Sequence, residues 1–328
     1  MFQRILVPLD GSTRAESAIP VAARLAQASS GSVILLQIVA PPVSPGKFRV
    51  PEAYPIVGTD LELAEANEYL KKIAQTSTLG GITTELHALV GPVAPEIISA
   101  TQSLHADLIV MWSHGDTGFK RWTLGSVAHK LVPHSPVPVL VLRDGGPVPA
   151  ASAEHPLRTL VPLDGSPLSE SALEPAAQLV VALAPTPQRS LQLIRVVDIP
   201  SSYGKFRSMA DSYFDTEMRT EAKHEDEQYL DAVVKRFAEG ELAQYKIAVT
   251  ATVAVDPDVA EAIVQTAEQA GEVGSAVIVM ATHGNGGLHN WMLGSVADRV
   301  LHSTKLPLMI VHAARAAQNT HKEAVTLT

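Results

Sequence analysis

The chain is one unit written twice. Ile5 to Ser12 reads ILVPLDGS, and Thr159 to Ser166 reads TLVPLDGS, 154 residues further on. The same offset aligns Glu16-Ser17-Ala18 with Glu170-Ser171-Ala172, and Ala22-Ala23 with Ala176-Ala177. Near the end of each half, Leu124 to Ala128 and Leu293 to Ala297 both read LGSVA, now at an offset of 169, so the second half carries about fifteen more residues. Solenoid units run to ~20–50 residues, so a repeat this long is a whole domain duplicated. Between the halves lies DGGPVPAASAEHP, Asp144 to Pro156, whose Gly, Pro and Ala content reads as an exposed linker. The expected layout is a first domain at 1–143, a linker at 144–156, a second domain at 157–313, and a tail at 314–328. The tail lacks apolar periodicity and is expected to fray.

Each half alternates strand and helix signals. Arg4–Pro8 is a short apolar run with β-branched residues, followed by a turn at Asp10-Gly11. Thr13 and Glu16 have capping-box spacing and predict a helix through about Gln27. Strands are predicted at Ser32–Val39, Thr83–Leu89, Asp107–Met111 and Val137–Leu142, with helices at about Asp60–Thr76, Pro95–Leu104 and Ser126–Val132. The second half repeats the order and ends with AVIVM, LGSVADRVL and LPLMIVH. Continuous Val/Ile/Leu runs separated by helices predict a parallel sheet buried on both faces. With right-handed crossovers, each half becomes a doubly wound α/β domain of five strands and four main helices. Ligands of such sheets bind beyond the carboxyl ends of the strands, where the strand order reverses. That directs attention to the loops after strands 1, 2 and 4.

After strand 4 the first half reads Trp112-Ser113-His114-Gly115, nine residues, then Gly125-Ser126-Val127. The second reads Ala281-Thr282-His283-Gly284, nine residues, then Gly294-Ser295-Val296. Glycines let backbone N–H groups approach an anion closely, and a helix start favours phosphate. In one copy, Gly-Ser before a helix reads as an ordinary N-cap. The same spacing twice, each time at the switch-point strand, favours phosphate.

With these residues in hand, the sequence resembles a tandem universal stress protein over nearly the whole chain outside linker and tail. The resemblance implies an adenine nucleotide alpha-hydrolase-like fold. ATP-binding members of that family carry Gly-x2-Gly-x9-Gly-Ser/Thr after strand 4 and an Asp ending strand 1. Gly115, Gly125 and Ser126 match, as do Gly284, Gly294 and Ser295. The first Gly is replaced by Trp112 and Ala281, which makes the first site the weaker expectation. The resemblance further implies that Pro8, Leu9 and Asp10, with Pro162, Leu163 and Asp164, line ribose and adenine. Backbone at Ile38 and Val196 would meet the adenine edge. Asp10 and Asp164 also fit a plain turn role, accepting from nearby N–H groups.

His114 and His283 adjoin hydroxyl residues, but neighbours on an extended chain face opposite ways, so a Ser–His nucleophile pair is not expected. No catalytic residue is assigned, and no metal site either, since HExxH is absent. Any Mg²⁺ would arrive on the nucleotide. Lys120 and Arg121, facing His289 and Asn290 in the other copy, read as loop charges or phosphate contacts. Trp122 and Trp291 read as packing residues. The repeated Gly-Lys-Phe-Arg at Gly46–Arg49 and Gly204–Arg207 reads as a nucleotide cover, an inter-half contact or an exposed loop.

Composition removes other classes. The chain has no cysteine, so thiol nucleophiles, disulfides and cysteine-ligated metals are excluded. With 34 acidic and 25 basic residues and a formal charge of -9, a general nucleic-acid surface is not expected. No apolar run reaches the ~18–20 residues of a spanning helix, and MFQRILVPLD is no signal peptide, so a cytoplasmic protein is expected. A Walker-type phosphate loop is missing, as is a full Gly-x-Gly-x-x-Gly. The expectation is an ATP-binding stress or regulatory protein with little or no turnover. Its two domains would pair as a pseudo-dimer through Val137–Leu142 and Pro307–Val311, with a homodimer as a further option. The rivals are an interaction module without nucleotide and a slow ATP hydrolase.

Overall fold

The computed structural model describes residues 1–40, 59–113, 124–143, 157–185, 188–198, 209–271, 275–282 and 293–312. Outside them lie His114, Gly115, His283 and Gly284, the loop residues Lys120, Arg121, Trp122, His289, Asn290 and Trp291, and both Gly-Lys-Phe-Arg segments. The predicted linker and tail lie outside as well. The chain divides into two compact units, one spanning Phe2–Leu142 and one beginning at Arg143.

The first unit runs β1 (Arg4–Leu9), α1 (Thr13–Glu16), α2 (Ile19–Ser29), β2 (Ser32–Val39), α3 (Thr59–Ala74), β3 (Thr83–Val90), α4 (Val93–Ser103), β4 (Leu108–Trp112), α5 (Ser126–Leu131) and β5 (Val139–Leu142). Its strands lie in the order β3-β2-β1-β4-β5, all parallel. The chain leaves β1 for β2 and β3 on one side, then returns to β4 on the other. The carboxyl ends of β1 and β4 are therefore the switch point.

The second unit repeats this with β6 (Leu157–Pro162), α6 (Pro167–Glu170), α7 (Leu173–Leu183), β7 (Ser190–Val197), α8 (Met209–Glu239), β8 (Ala248–Val255), α9 (Val259–Gly271), β9 (Ser275–Ala281), α10 (Ser295–Ser303) and β10 (Leu308–Val311). Its order is β10-β9-β6-β7-β8, again all parallel. Each half is thus the predicted five-stranded, doubly wound α/β domain.

The cores follow the Val/Ile/Leu runs. Ile5, Leu6, Val7, Ile34, Leu108 and Leu140 are fully buried in the first unit, and Val161, Leu193, Ile278 and Leu308 in the second. At roughly 1.5–3 kcal/mol per fully buried large aliphatic side chain, such positions supply the main drive for each sheet.

The structure corrects three local expectations. The first helix is capped by Ser12, not Thr13: Ser12 Oγ accepts from Ala15 N–H at 3.1 Å. It is also interrupted, with α1 ending at Glu16 and α2 starting at Ile19, where Pro20 takes an early position that needs no N–H donor. Finally, β3 and β8 are not buried on both faces. Both stand at sheet edges and show intermediate or exposed side chains throughout.

Candidate functional site

The strand-1 turn has the same geometry in both copies. Asp10 Oδ1 accepts from Ser12 N–H at 3.0 Å and from Ser12 Oγ at 2.6 Å. Asp164 Oδ1 does the same for Ser166, at 3.0 and 2.6 Å. Gly11 and Gly165 sit between them at φ +85° and +81°, in the left-handed region that a side chain disfavours. The turn role expected of the two aspartates is therefore real, and in each turn it uses Oδ1.

The strand-4 loop is pinned at both ends. Ser113 N–H donates to Leu142 O at 2.8 Å, and Gly125 N–H donates to Ser113 O at 2.8 Å. In the second copy Thr282 N–H donates to Val311 O at 2.9 Å, and Gly294 N–H to Thr282 O at 2.8 Å. The residues that meet, Ser113 with Gly125 and Thr282 with Gly294, enclose eleven residues, the nine of the repeated spacing and the His-Gly pair before them. Gly125 and Gly294 are themselves the N-caps, with φ −63° and ψ near 150°, and neither has a side-chain cap bond. Ser126 and Ser295 are the first helical residues, with Val127 and Val296 next, so in the plain N-cap alternative it is the glycine of each Gly-Ser pair that takes the cap position. The first turn of a helix has N–H groups without intrahelical partners.

Register brings the pieces together. Pairing of Ile5 with Leu108 and Leu6 with Ile109 sets Pro8, Leu9 and Asp10 beside the end of β4, where Trp112 stands half-buried. In the second copy Leu160 pairs with Ile278, which sets Pro162, Leu163 and Asp164 beside Ala281. Ile38 and Val196 lie one residue from the ends of β2 and β7, next to β1 and β6.

An open groove of about 450 Å³ lies past the ends of β1 and β2, lined by Gly11, Gln37, Val39, Glu65, Ala66 and Tyr69 among others. Gln37 Oε1 is buried there and has no hydrogen-bond partner among the described residues. Tyr69 Oη donates to Glu16 Oε1 at 3.0 Å. Burial, and then that carboxylate, push the phenol well above its ordinary pKa. Neither Gln37 nor Tyr69 was singled out from sequence. Laying SVILLQIV over SLQLIRVV would have flagged Gln37, which faces an arginine in the other copy.

Comparison with known proteins adds the family. A model of the universal stress protein family matches residues 1–143 and again 157–312. The chain belongs to the universal stress protein family. It is a tandem member: a universal stress protein of Mycolicibacterium smegmatis is 26% identical over 321 residues, covering 94% of this chain and 96% of that one. A universal stress protein of Methanocaldococcus jannaschii is 32% identical over 143 residues, 44% of this chain and 83% of its own length. The crystal structure of a universal stress protein from Archaeoglobus fulgidus aligns with TM-score 0.60 at 20% identity, covering 94% and 98% of the two chains. That likeness shows the tandem fold. Among the described residues, no helix is long and apolar enough to cross a membrane.

Proposed function

We propose that this universal stress protein binds ATP at the carboxyl edge of its parallel sheets and turns it over slowly or not at all. One observation carries the reading. At the switch point of each half, an Asp-Gly-Ser turn and a bonded pair, Gly125 to Ser113 or Gly294 to Thr282, stand at neighbouring strand ends. The residues fit a nucleotide. The groove at Gly11 falls within the ~300–1,000 Å³ of ordinary ligand pockets. Among the described residues, a Cβ built on Gly11 meets nothing within 4 Å.

In this reading the base and ribose lie against Pro8, Leu9, Asp10 and Ile38, and the phosphates meet the glycines and first-turn N–H groups of the strand-4 loop. Mg²⁺ would come with the phosphates. Fast hydrolysis needs a positioned water and charge stabilisation that grows in the transition state. The nine-residue loop of the second half contains no Arg or Lys. The pairing of the two domains through their apolar last strands belongs to the same reading. Trp112, in place of a glycine, favours the second reading, an interaction module without nucleotide in the first half.

The test is to extract nucleotide from freshly purified protein and to titrate ATP into a Gly125→Asp/Gly294→Asp double variant. Asp is a favoured N-cap, so the helices are retained while a carboxylate faces the phosphates. At least a tenfold loss of affinity is expected. Unchanged affinity in the folded variant overturns the proposal, as does Mg²⁺-dependent turnover near the ~10 s⁻¹ of ordinary enzymes.

A further inference from the structure

The groove over Gly11 has a structural counterpart over Gly165, and that counterpart is filled. The turns align through PLDGS, which equates Gly11 with Gly165. Strand register equates Gln37 with Arg195: Leu9 pairs with Gln37, and Pro162 with Ile194, one residue before Arg195. The tyrosines that bond Glu16 and Glu170 equate Tyr69 with Tyr229, and hence Ala66 with Asp226. Four lining positions therefore separate the copies at this place: Gln37 against Arg195 and Ala40 against Asp198 at the end of strand 2, and Glu62 against Ala222 and Ala66 against Asp226 on the following helix. Of these, Arg195 and Asp226 are the two that meet.

Together they build a plug. Arg195 Nε pairs with Asp226 Oδ1, and the guanidinium lies 5.4 Å from the centroid of the Tyr229 ring. A Cβ placed on Gly165 would come within 2.6 Å of Arg195 Nη1, whereas the same atom on Gly11 meets nothing within 4 Å among the described residues. The guanidinium thus occupies the space over the second turn that no described residue fills over the first. Its side chain is 24% exposed and that of Asp226 14%, so the pair is partly shielded from water. Ion pairing and ring contact hold it there, while Nε and Nη1 make no hydrogen bond among the described residues. In the first copy Ala66 has no charge to offer, and Gln37 lines the groove with its Oε1 buried and without a hydrogen-bond partner among the described residues. A side-chain amide suits the edge of a base that carries an exocyclic amine. The rim carboxylates of Glu62 and Glu65 favour the uncharged base end over the phosphates.

We infer that Arg195, with Asp226 and Tyr229, is an internal plug that closes the groove beside the second domain's strand-1 turn, so that one chain takes one nucleotide, in the first domain, with its base reaching from Asp10 and Ile38 to the groove at Gln37. This rests on the nucleotide reading above. It reverses the ranking that Trp112 alone suggests, because Trp112 ends β4 whereas the plug stands over the strand-1 turn.

Native mass spectrometry and calorimetry of the full chain with Mg-ATP test it. Wild type should bind one nucleotide per chain. Arg195→Gln/Asp226→Ala should gain a second site, and misfolding cannot produce such a gain. Gln37→Arg/Ala66→Asp should lose the first site by at least tenfold in affinity. Two nucleotides on wild type, or no gain on opening the second pocket, overturns the plug while leaving the nucleotide reading intact. Loss of a pre-existing second site in Arg195→Gln/Asp226→Ala overturns it too, since arginine would then be a ligand contact. No nucleotide on wild type or on either variant overturns both.

Discussion

Tyr229 Oη donates to Glu170 Oε1 at 2.9 Å. Arg236 holds the other oxygen of that carboxylate at 2.7 Å, so one glutamate on the short α6 ties two turns of α8. The first copy keeps the Tyr69–Glu16 bond at 3.0 Å. In both copies this contact fixes the helix after strand 2 beside the strand-1 turn, which sets the position of the groove wall.

Alkaline stability should depend on these two phenols. Burial first, then the bonded carboxylate, raise the pKa of both Tyr69 and Tyr229. The folded chain keeps protons that the unfolded chain releases above ~10. Their contribution is therefore full below about pH 10 and is lost as pH rises further. Urea midpoints between pH 8 and 11 should fall less steeply in Tyr69→Phe/Tyr229→Phe than in wild type. Equal slopes would exclude the linkage.

Ser12→Ala and Ser166→Ala should each destabilise the protein by about 1 kcal/mol. Each serine accepts from an N–H of the following turn, at 3.1 Å in both cases, and each holds its aspartate. The measurement is the urea midpoint at constant m-value. A change confined to nucleotide affinity would show that the caps are not structural.

Gly165→Ala should cost more than Gly11→Ala. Both positions have positive φ, for a shared penalty of about 1 kcal/mol. Only Gly165 has Arg195 Nη1 in the way. Adding Arg195→Gln should remove the excess, and a double-mutant cycle in urea reads the coupling. Independent effects would place the guanidinium elsewhere.

Glu85→Gln should flatten the acid limb of stability. Arg4 Nη1 and Nη2 bond Glu85 Oε1 and Oε2 at 2.7 and 2.9 Å, joining β1 to β3 across β2. The guanidinium holds Glu85 below the usual carboxylate range. That stability is present above about pH 4.5 and is lost as pH falls through the lowered pKa. The side chains are a third exposed, so the loss at pH 7 should stay under about 1 kcal/mol. Acid titration of unfolding in both proteins checks it.

Much of this architecture can be read from residues alone, because its signals are local. ILVPLDGS carries a strand, a positive-φ glycine and a cap within eight positions, and its repetition at Thr159 declares the duplication. The Gly-x9-Gly-Ser spacing is also local, and its second glycine bonds back to Ser113, two positions before the first in sequence. Three features are decided only in three dimensions. Capping by Ser12 rather than Thr13 follows from Asp10 fixing the serine's hydroxyl. The half-exposed faces of β3 and β8 follow from strand order, which places them at the edges. The difference between the two pockets needs Gln37 or Arg195 from a strand, Ala66 or Asp226 from a helix, and a glycine from a turn to meet. Sequence by itself determined two like domains with like turns. The tertiary structure decided that they are unlike at the groove, because an arginine's reach depends on what packs opposite it.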